Sequence, residues 1–462
     1  MFRNTLFIKC VTIATLILLL LIPLTMIRGI VFERNEYRES AVWDIADSWT
    51  GAQTLFAPLI RLPYEQRYTE TLNKGRGESV NLEKTRTAYY LILAHQFEID
   101  TKVTTQLRKR GIYSTPVYDA QVNMSGEFLA RDIARLKAST KGFVRWGTPN
   151  LILGVADLRG IGAKPSLDLQ GQTYAFEPGT SYAKLGNGIH APLPEAALSR
   201  DLPFTLSLTL RGSQQLHLIP TAADARIHMQ SDWQHPKFVG RFLPSTRSIT
   251  DEGFTAEWSV SAFSTGANDF VLACQTGNCS GRNAMSLGVS FIETVDVYTQ
   301  TDRATKYAIL FILLTFVAFL LTETLTDRRL HPVHYLLVGA ALSIFYLLLI
   351  SLAEHTGFAM AYCSATAACT ALIWFYLKGV FGDTRLAAIY AGAIAALYAT
   401  LYMILRSEDF ALLMGSLLLF GALALIMLST RRLDWHRISM TLSGRPPSAD
   451  RDDPGNLDGQ AW

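Results

Sequence analysis

The sequence lacks the marks of a catalyst. No Gly-x-Ser-x-Gly elbow occurs in its 462 residues, so no nucleophile is offered on a strand-to-helix turn. No Walker phosphate loop occurs either. Arg159-Gly160-Ile161-Gly162 is a turn-like pair of glycines without the third glycine and following helix of a dinucleotide fingerprint. His331-Pro332-Val333-His334 and Glu354-His355 fall short of the His-Glu-x-x-His helix that sets two imidazoles on one face for zinc. Basic residues are not gathered on one face, and the net charge is only +3, which excludes a nucleic-acid binder. Cysteine is scarce, at five residues. These absences leave no enzyme class with a motif behind it and imply no cofactor.

What is present is long apolar runs. One extends from about Leu6 to Ile27. Five more follow in close order, at Tyr307–Leu325, His334–Ala353, Phe358–Leu377, Leu386–Leu405 and Phe410–Ser429. A spanning helix needs roughly 20 mostly apolar residues, because in lipid the backbone must satisfy its own hydrogen bonds. The composition, 49% hydrophobic yet 18% charged, fits a chain that is part membrane and part aqueous. The first run is longer than a signal peptide's apolar core, and Pro23 to Arg28 offers no Ala-x-Ala cleavage site, so a retained anchor fits better.

Short loops rich in Lys and Arg face the cytoplasm. Arg3 and Lys9 lie at the first run, Arg328 and Arg329 between the second and third, Lys378 and Arg385 between the fourth and fifth, and Arg431, Arg432 and Arg437 after the sixth. The alternate loops, Glu354-His355-Thr356-Gly357 and Arg406-Ser407-Glu408-Asp409, are poorer. Arg28 and Arg34 count against the pattern but are diluted by Glu33 and Glu36. Six spans with both termini cytoplasmic satisfy this rule and export the long polar stretch between the first two.

That stretch reads mainly as strand. Phe204, Leu206, Leu208 and Leu210 alternate with polar residues, as do Phe254, Ala256, Trp258 and Val260, and Ile227 with Met229. Period-two alternation puts apolar side chains on one sheet face. Turn residues break the runs often, which predicts antiparallel sheets in a sandwich-like domain. Two helices are expected, one on Val42, Ile45, Ala46 and Trp49 just after the first span, the other on Phe128, Ile133 and Leu136. The expected organisation is an anchor over residues 1–28, a periplasmic β-rich domain over 29–305, a five-helix bundle over 306–430 and a largely disordered cytoplasmic tail over 431–462.

The candidate functional positions lie near span ends. Glu323 falls at the cytoplasmic end of the second span and Glu354-His355 at the outer end of the third. Ionisable groups in a bilayer are costly and often functional, although snorkelling near a span end makes them cheap. The span centres carry no charge, which argues against an ion-coupled transporter. His331, before a proline at a span boundary, suits a capping or interfacial role. Arg303 and Lys306 beside Tyr307 form a basic-aromatic anchor where the exported domain joins the second span. Ala388, Gly392 and Ala396, four residues apart, permit close helix approach, most simply inside the bundle. Cys274 and Cys279 bracket the turn-like Gln275-Thr276-Gly277-Asn278, and in an oxidising compartment they are expected to form a disulfide.

Several segments, taken in order, resemble the CreD family. They are ERNEYR (33–38), ADLRGIG (156–162), EPGT (177–180), GIHAPLPE (188–195), DWQHPKFVGRFLP (232–244), DRATKYAIL (302–310), ETLT and RLHPVHYLLVG (323–339) and EHTGF (354–358). The resemblance covers nearly the whole chain, the tail and the Cys274–Cys279 segment excepted. It implies a bacterial inner-membrane protein linked to envelope integrity and expressed under a two-component system. It supplies no catalytic residues. The leading expectation is a non-enzymatic envelope-stress protein whose periplasmic domain senses or binds, with membrane lipids and an envelope protein or second copy as partners and the ligand unknown. A transporter using the six spans and a membrane-bound enzyme acting on envelope lipid or peptidoglycan are the alternatives.

Overall fold

A computed structural model describes residues 5–73, 79–279, 285–291, 297–326, 330–407 and 410–431. The basic residues Arg3, Arg328, Arg329, Arg432 and Arg437, the acidic pair Glu408-Asp409 and the tail expected to be disordered lie outside the described residues. The chain divides into two compact units, one of Met1–Tyr37 with Val295–Trp462, the other of Arg38–Thr294.

The first unit is helical. Helix α1 (Thr5–Trp49) contributes its first part to this unit and its last turns to the other. Its 45 residues are about 68 Å long at 1.5 Å per residue, more than twice a hydrocarbon core. The separate helix expected around Val42 to Trp49 is thus the end of α1, which has no proline after Pro23 and runs on through Gly29 as far as Trp49, before Thr50-Gly51. In the second unit, α2 (Ala130–Ser139), α3 (Ala262–Thr265) and α4 (Ala267–Gln275) decorate the sheets. The helical unit resumes with α5 (Val297–Lys306), α6 (Ala308–Thr326), α7 (Pro332–Thr356), α8 (Phe358–Phe381), α9 (Thr384–Arg406) and α10 (Ala411–Thr430).

Local chemistry sets these boundaries. Pro332 opens α7, where a missing N–H costs nothing. Gly382 ends α8 in the left-handed region at φ 62°, and Asp383 then caps α9 by accepting from the Arg385 N–H at 2.8 Å. Such short connections make α7, α8 and α9 successive packed neighbours. Among the described residues five helices are long and apolar enough to cross a membrane: Ile8–Trp49, Val297–Glu323, Pro332–Thr356, Phe358–Phe381 and Thr384–Arg406. Leu412–Leu428 is a shorter apolar helix.

One apolar core joins Leu20, Leu24 and Ile27 of α1 to Phe316 and Phe319 of α6, Tyr335 and Phe345 of α7, and Tyr398 of α9. Gly339 lets α7 come close, since a Cβ there would run into Leu20 and into Phe316 at 3.0 Å. The stripe Ala388, Gly392 and Ala396 is not part of this packing. All three are exposed, and α9 turns Ala387, Ala391 and Ile394 inward instead.

The second unit is mainly antiparallel β. Strands 59–73, 79–110, 113–128 and 202–213 are successive antiparallel neighbours in a 13-stranded sheet. Strand 222–231 joins strand 79–110 in parallel and pairs with 253–261 so that Ile227 faces Trp258 and Met229 faces Ala256. A four-stranded sheet places 53–56 parallel to 215–219, followed by 287–290 and 237–240. The alternating residues point inward as their period requires, and Leu206, Ile227, Trp258, Leu218 and Val289 share one core across both sheets. A smaller cluster seats Phe270, Val271 and Cys274 of α4 on Leu59, Leu91 and Ile152. Cys274 and Cys279 form a disulfide that closes the end of α4, and the Tyr182 hydroxyl donates to the Cys274 carbonyl at 2.5 Å.

Candidate functional site

The helical unit holds two carboxylates withdrawn from solvent, Glu323 of α6, which is buried, and Glu354 of α7, which is nearly so, and each meets a cation of α1. At one end, Glu323 of α6 has a side chain only 8% exposed. It pairs with the Lys9 ammonium of α1, accepts from the Leu330 N–H at 3.3 Å and from the Tyr335 hydroxyl of α7 at 3.5 Å. A cavity of about 60 Å³ beside the pair, lined by Lys9, Thr12, Glu323 and Tyr335 among others, has room for one or two waters. Nearby, the Tyr390 hydroxyl of α9 donates to the Ala318 carbonyl at 2.9 Å and meets the Thr322 hydroxyl. A carboxyl group withdrawn from water is costly unless its polar atoms find partners, and Glu323 has the Lys9 ammonium and two hydrogen-bond donors.

At the other end, Glu354 of α7 has a side chain 10% exposed. The Arg34 Nε of α1 lies 3.8 Å from it, and the Tyr298 hydroxyl of α5 donates to it at 3.1 Å. From Tyr335 to Glu354 helix α7 rises about 29 Å, and from Lys9 to Arg34 helix α1 rises about 38 Å. The two clusters therefore stand about one hydrocarbon thickness apart. Between them α1 offers lipid or helix only apolar and hydroxyl side chains, apart from Cys10 and, near the Arg34 end, Arg28 and Glu33.

The other sequence-named positions take lesser parts. Arg303 is half-buried in the last turn of α5. Lys306 is exposed and pairs one turn back with Asp302 at 2.7 Å. Tyr307 marks the turn between α5 and α6. His331 caps α7, its Nδ1 accepting from the Val333 N–H at 3.3 Å, while His334 bonds the Tyr376 hydroxyl at 2.7 Å. His355 is exposed. Among the described residues no group of three His, Cys, Asp or Glu is placed to hold a metal. The structure adds Lys9, Arg34, Tyr298 and Tyr335. Lys9 lies near the start of the first apolar run and Arg34 beyond its end, so a search for opposite charges at matching depths would have proposed them; the tyrosines carry no such mark.

The last turns of α1 are held just as definitely within the β unit. Arg110 pairs with Asp44 at 3.2 Å, and Arg159 donates to the Asp47 carbonyl at 2.9 Å. The Arg108 and Arg211 guanidinium groups lie over the Trp49 ring, at 4.7 and 5.4 Å. Cations suit the carbonyl end of a helix. Arg159 is itself oriented by Asp157 at 2.7 Å, and that ion pair holds the Asp157 carboxyl below the usual carboxylate range. The buried Gln53 amide bridges the carbonyls of Asp157 and Arg211, each at 3.0 Å. Gly160, within the ADLRGIG segment, is required here because a Cβ would meet the Gln53 side chain and the Arg211 carbonyl.

The family model for Inner membrane protein CreD matches residues 5–436. The chain is 36% identical to Inner membrane protein CreD of Escherichia coli (strain K12) over 442 residues, covering 95% of this chain and 96% of that protein. Among solved structures it matches an M1 zinc metallopeptidase from Deinococcus radiodurans at a TM-score of 0.18 and 9% identity, over 76% of this chain and 93% of the other; a likeness that slight supports no inference. The chain belongs to the CreD family of inner membrane proteins.

Proposed function

We propose that this CreD-family protein supports envelope integrity without catalysis, by using α1 as a strut between a six-span membrane bundle and a periplasmic β domain. The observation that carries this reading is the fastening of one continuous helix in both units. Lys9 and Arg34 hold α1 to Glu323 and Glu354 in the helical unit, and Asp44, the Asp47 carbonyl and Trp49 hold its end in the β unit. A helix so held passes a rotation or a pull along its length, because its backbone hydrogen bonds resist stretching. In this reading α10 is the sixth span, both termini are cytoplasmic, and Glu323 and Glu354 mark the inner and outer membrane faces. The one-sided distribution of Lys and Arg in the short loops supports that orientation. Membrane lipids are then the surroundings of the bundle, and an envelope protein or a second copy is the partner the strut would answer to.

Reporter fusions after residues near 200, 330, 382 and 440 test the topology: export is expected at 200 alone, and export at 382 or 440 overturns it. The strut is tested in cells under envelope stress. K9E and E323K should each abolish protection, and the combined K9E/E323K chain should restore much of it. Protection by either single variant at wild-type level would refute the strut. R303E/K306E examines the junction of α5 and α6 in the same assay, and it should impair protection while leaving the β unit folded.

A further inference from the structure

The β unit contains a cleft of about 520 Å³ that the bracing of α1 does not use. That volume lies within the range of small-ligand sites. One wall is aromatic. Tyr64 stacks on Tyr90 with ring centroids 4.8 Å apart, and Trp146 leans on Tyr64 at 5.6 Å. The opposite rim is Leu193-Pro194-Glu195, the end of the GIHAPLPE segment. The floor is stiff, because the Gly147 N–H donates to the Pro63 carbonyl at 2.8 Å and the Leu193 N–H to the Pro149 carbonyl at 2.9 Å. Prolines at 63, 149 and 194 restrict it further. Little ordering would remain to be done on binding.

The polar groups of the cleft are paired charges, hydroxyls and a phenol. Arg145 donates to Glu65 at 2.5 Å, and Thr87 and Thr148 add hydroxyls. Glu195 stands 3.9 Å from Lys137, whose ammonium lies 5.3 Å from the Trp146 ring. Burial and the neighbouring Tyr90 push the Tyr64 phenol up to about 12, so it stays a neutral donor. Two carboxylates against two cations, already paired, leave no net charge to hold a phosphate or other anion. So many polar groups beside the rings disfavour an acyl chain.

We propose that this cleft binds a neutral oligosaccharide, one sugar ring lying against the Trp146 indole with its hydroxyls bridging the Glu65–Arg145 pair, Thr87, Thr148 and Glu195. A sugar ring has an apolar C–H face and an equator of hydroxyls that donate and accept at once. The half-buried Trp146 indole answers the first, and a carboxylate beside a guanidinium answers the second. The site lies wholly within the β unit and stands whether or not α1 acts as a strut.

The test is calorimetric titration of the full chain in phospholipid nanodiscs, free of sugar-headed detergent, with chitotetraose (an N-acetylglucosamine tetramer) and maltotetraose as probes. Saturable one-site binding of at least one tetramer is expected, weakened at least about ten-fold by W146A and by R145A. Trp146 also packs on Phe143, so W146A may be replaced, should it misfold, by R145A and E195Q, whose native side chains are 74% and 60% exposed. No saturable binding of either probe up to about 10 mM, or binding unchanged by R145A and E195Q, overturns the proposal. So does a proline-rich peptide that saturates the cleft where neither sugar does.

Discussion

The two units use the same contact, a cation beside a carboxylate, to opposite effect. In the helical unit the Lys9–Glu323 pair has its carboxylate side chain 8% exposed, whereas in the β unit Lys84 and Glu70 pair with side chains 49% and 41% exposed. Exposed pairs gain little, because water already solvates both ions and salt screens them. A buried pair gains little over an apolar pair of the same shape, but loss of one partner strands a charge in a medium that cannot solvate it. An exposed pair such as Lys84–Glu70 therefore adds little to a fold held by its core, while the buried Lys9–Glu323 pair helps decide which helices stay together.

The largest effect should come from breaking the buried pair on one side only. K9M leaves Glu323 with just the Tyr335 and Leu330 donors and should destabilise the helical unit by about 3–5 kcal/mol, read as a lowered midpoint of thermal unfolding in nanodiscs. K9M/E323M removes both charges and should recover most of that loss. A K9M midpoint equal to wild type would erase the distinction between the two units.

Next comes the covalent contrast. Cys274–Cys279 is the disulfide of the β unit, while Cys10, Cys363 and Cys369 of the helical unit are free thiols. C274S/C279S should lower β-unit stability by roughly 2 kcal/mol, since so short a loop restrains the unfolded chain only modestly. Maleimide labelling of the unfolded, unreduced chain should modify the three free thiols and spare the pair. Labelling of five cysteines would refute the bond.

A smaller effect is expected at Asp157, whose carboxyl is lowered first by the side-chain hydrogen bond from Arg159. A carboxyl with a depressed folded pKa contributes stability above its unfolded value near 4 and loses it as pH falls through the folded value. Wild-type stability should therefore fall more steeply than that of D157N below about pH 4 and run parallel to it near neutrality. Parallel curves throughout would show that the Arg159 contact adds nothing. The smallest effect is K84A, which should leave the unfolding midpoint within error, as an exposed pair predicts.

Much of this architecture was legible in the residues. The alternation at Phe204–Leu210 and Phe254–Trp258 predicts strands with one buried face, and those residues form strands with that face inward. The long apolar runs predict membrane helices, and five pass the test of length and composition. Other features were not legible. The helix expected after the first span is the continuation of α1, since helical spacing does not say where a helix started. Ala388, Gly392 and Ala396 look like a packing stripe, yet α9 presents the adjacent Ala387 and Ala391 to the bundle, a shift of one residue or about 100° around the helix. Glu323 and Glu354 were visible as costly charges, but their partners come from α1, some three hundred residues earlier in the chain.

The sequence by itself determined membership of the family, the division into apolar helices and a β-rich stretch, and the inward face of its main strands. Those properties follow from local periodicity and from the free energy of moving each segment out of water, which depend on neighbours in sequence. Only the tertiary structure decided that α1 pairs with α6 through Lys9 and with α7 through Arg34, that Gly160 makes room for Gln53, and that Tyr64, Trp146 and Glu195 share a cleft. Those are meetings between distant segments, set by which surfaces pack together, and no local pattern in the chain specifies them.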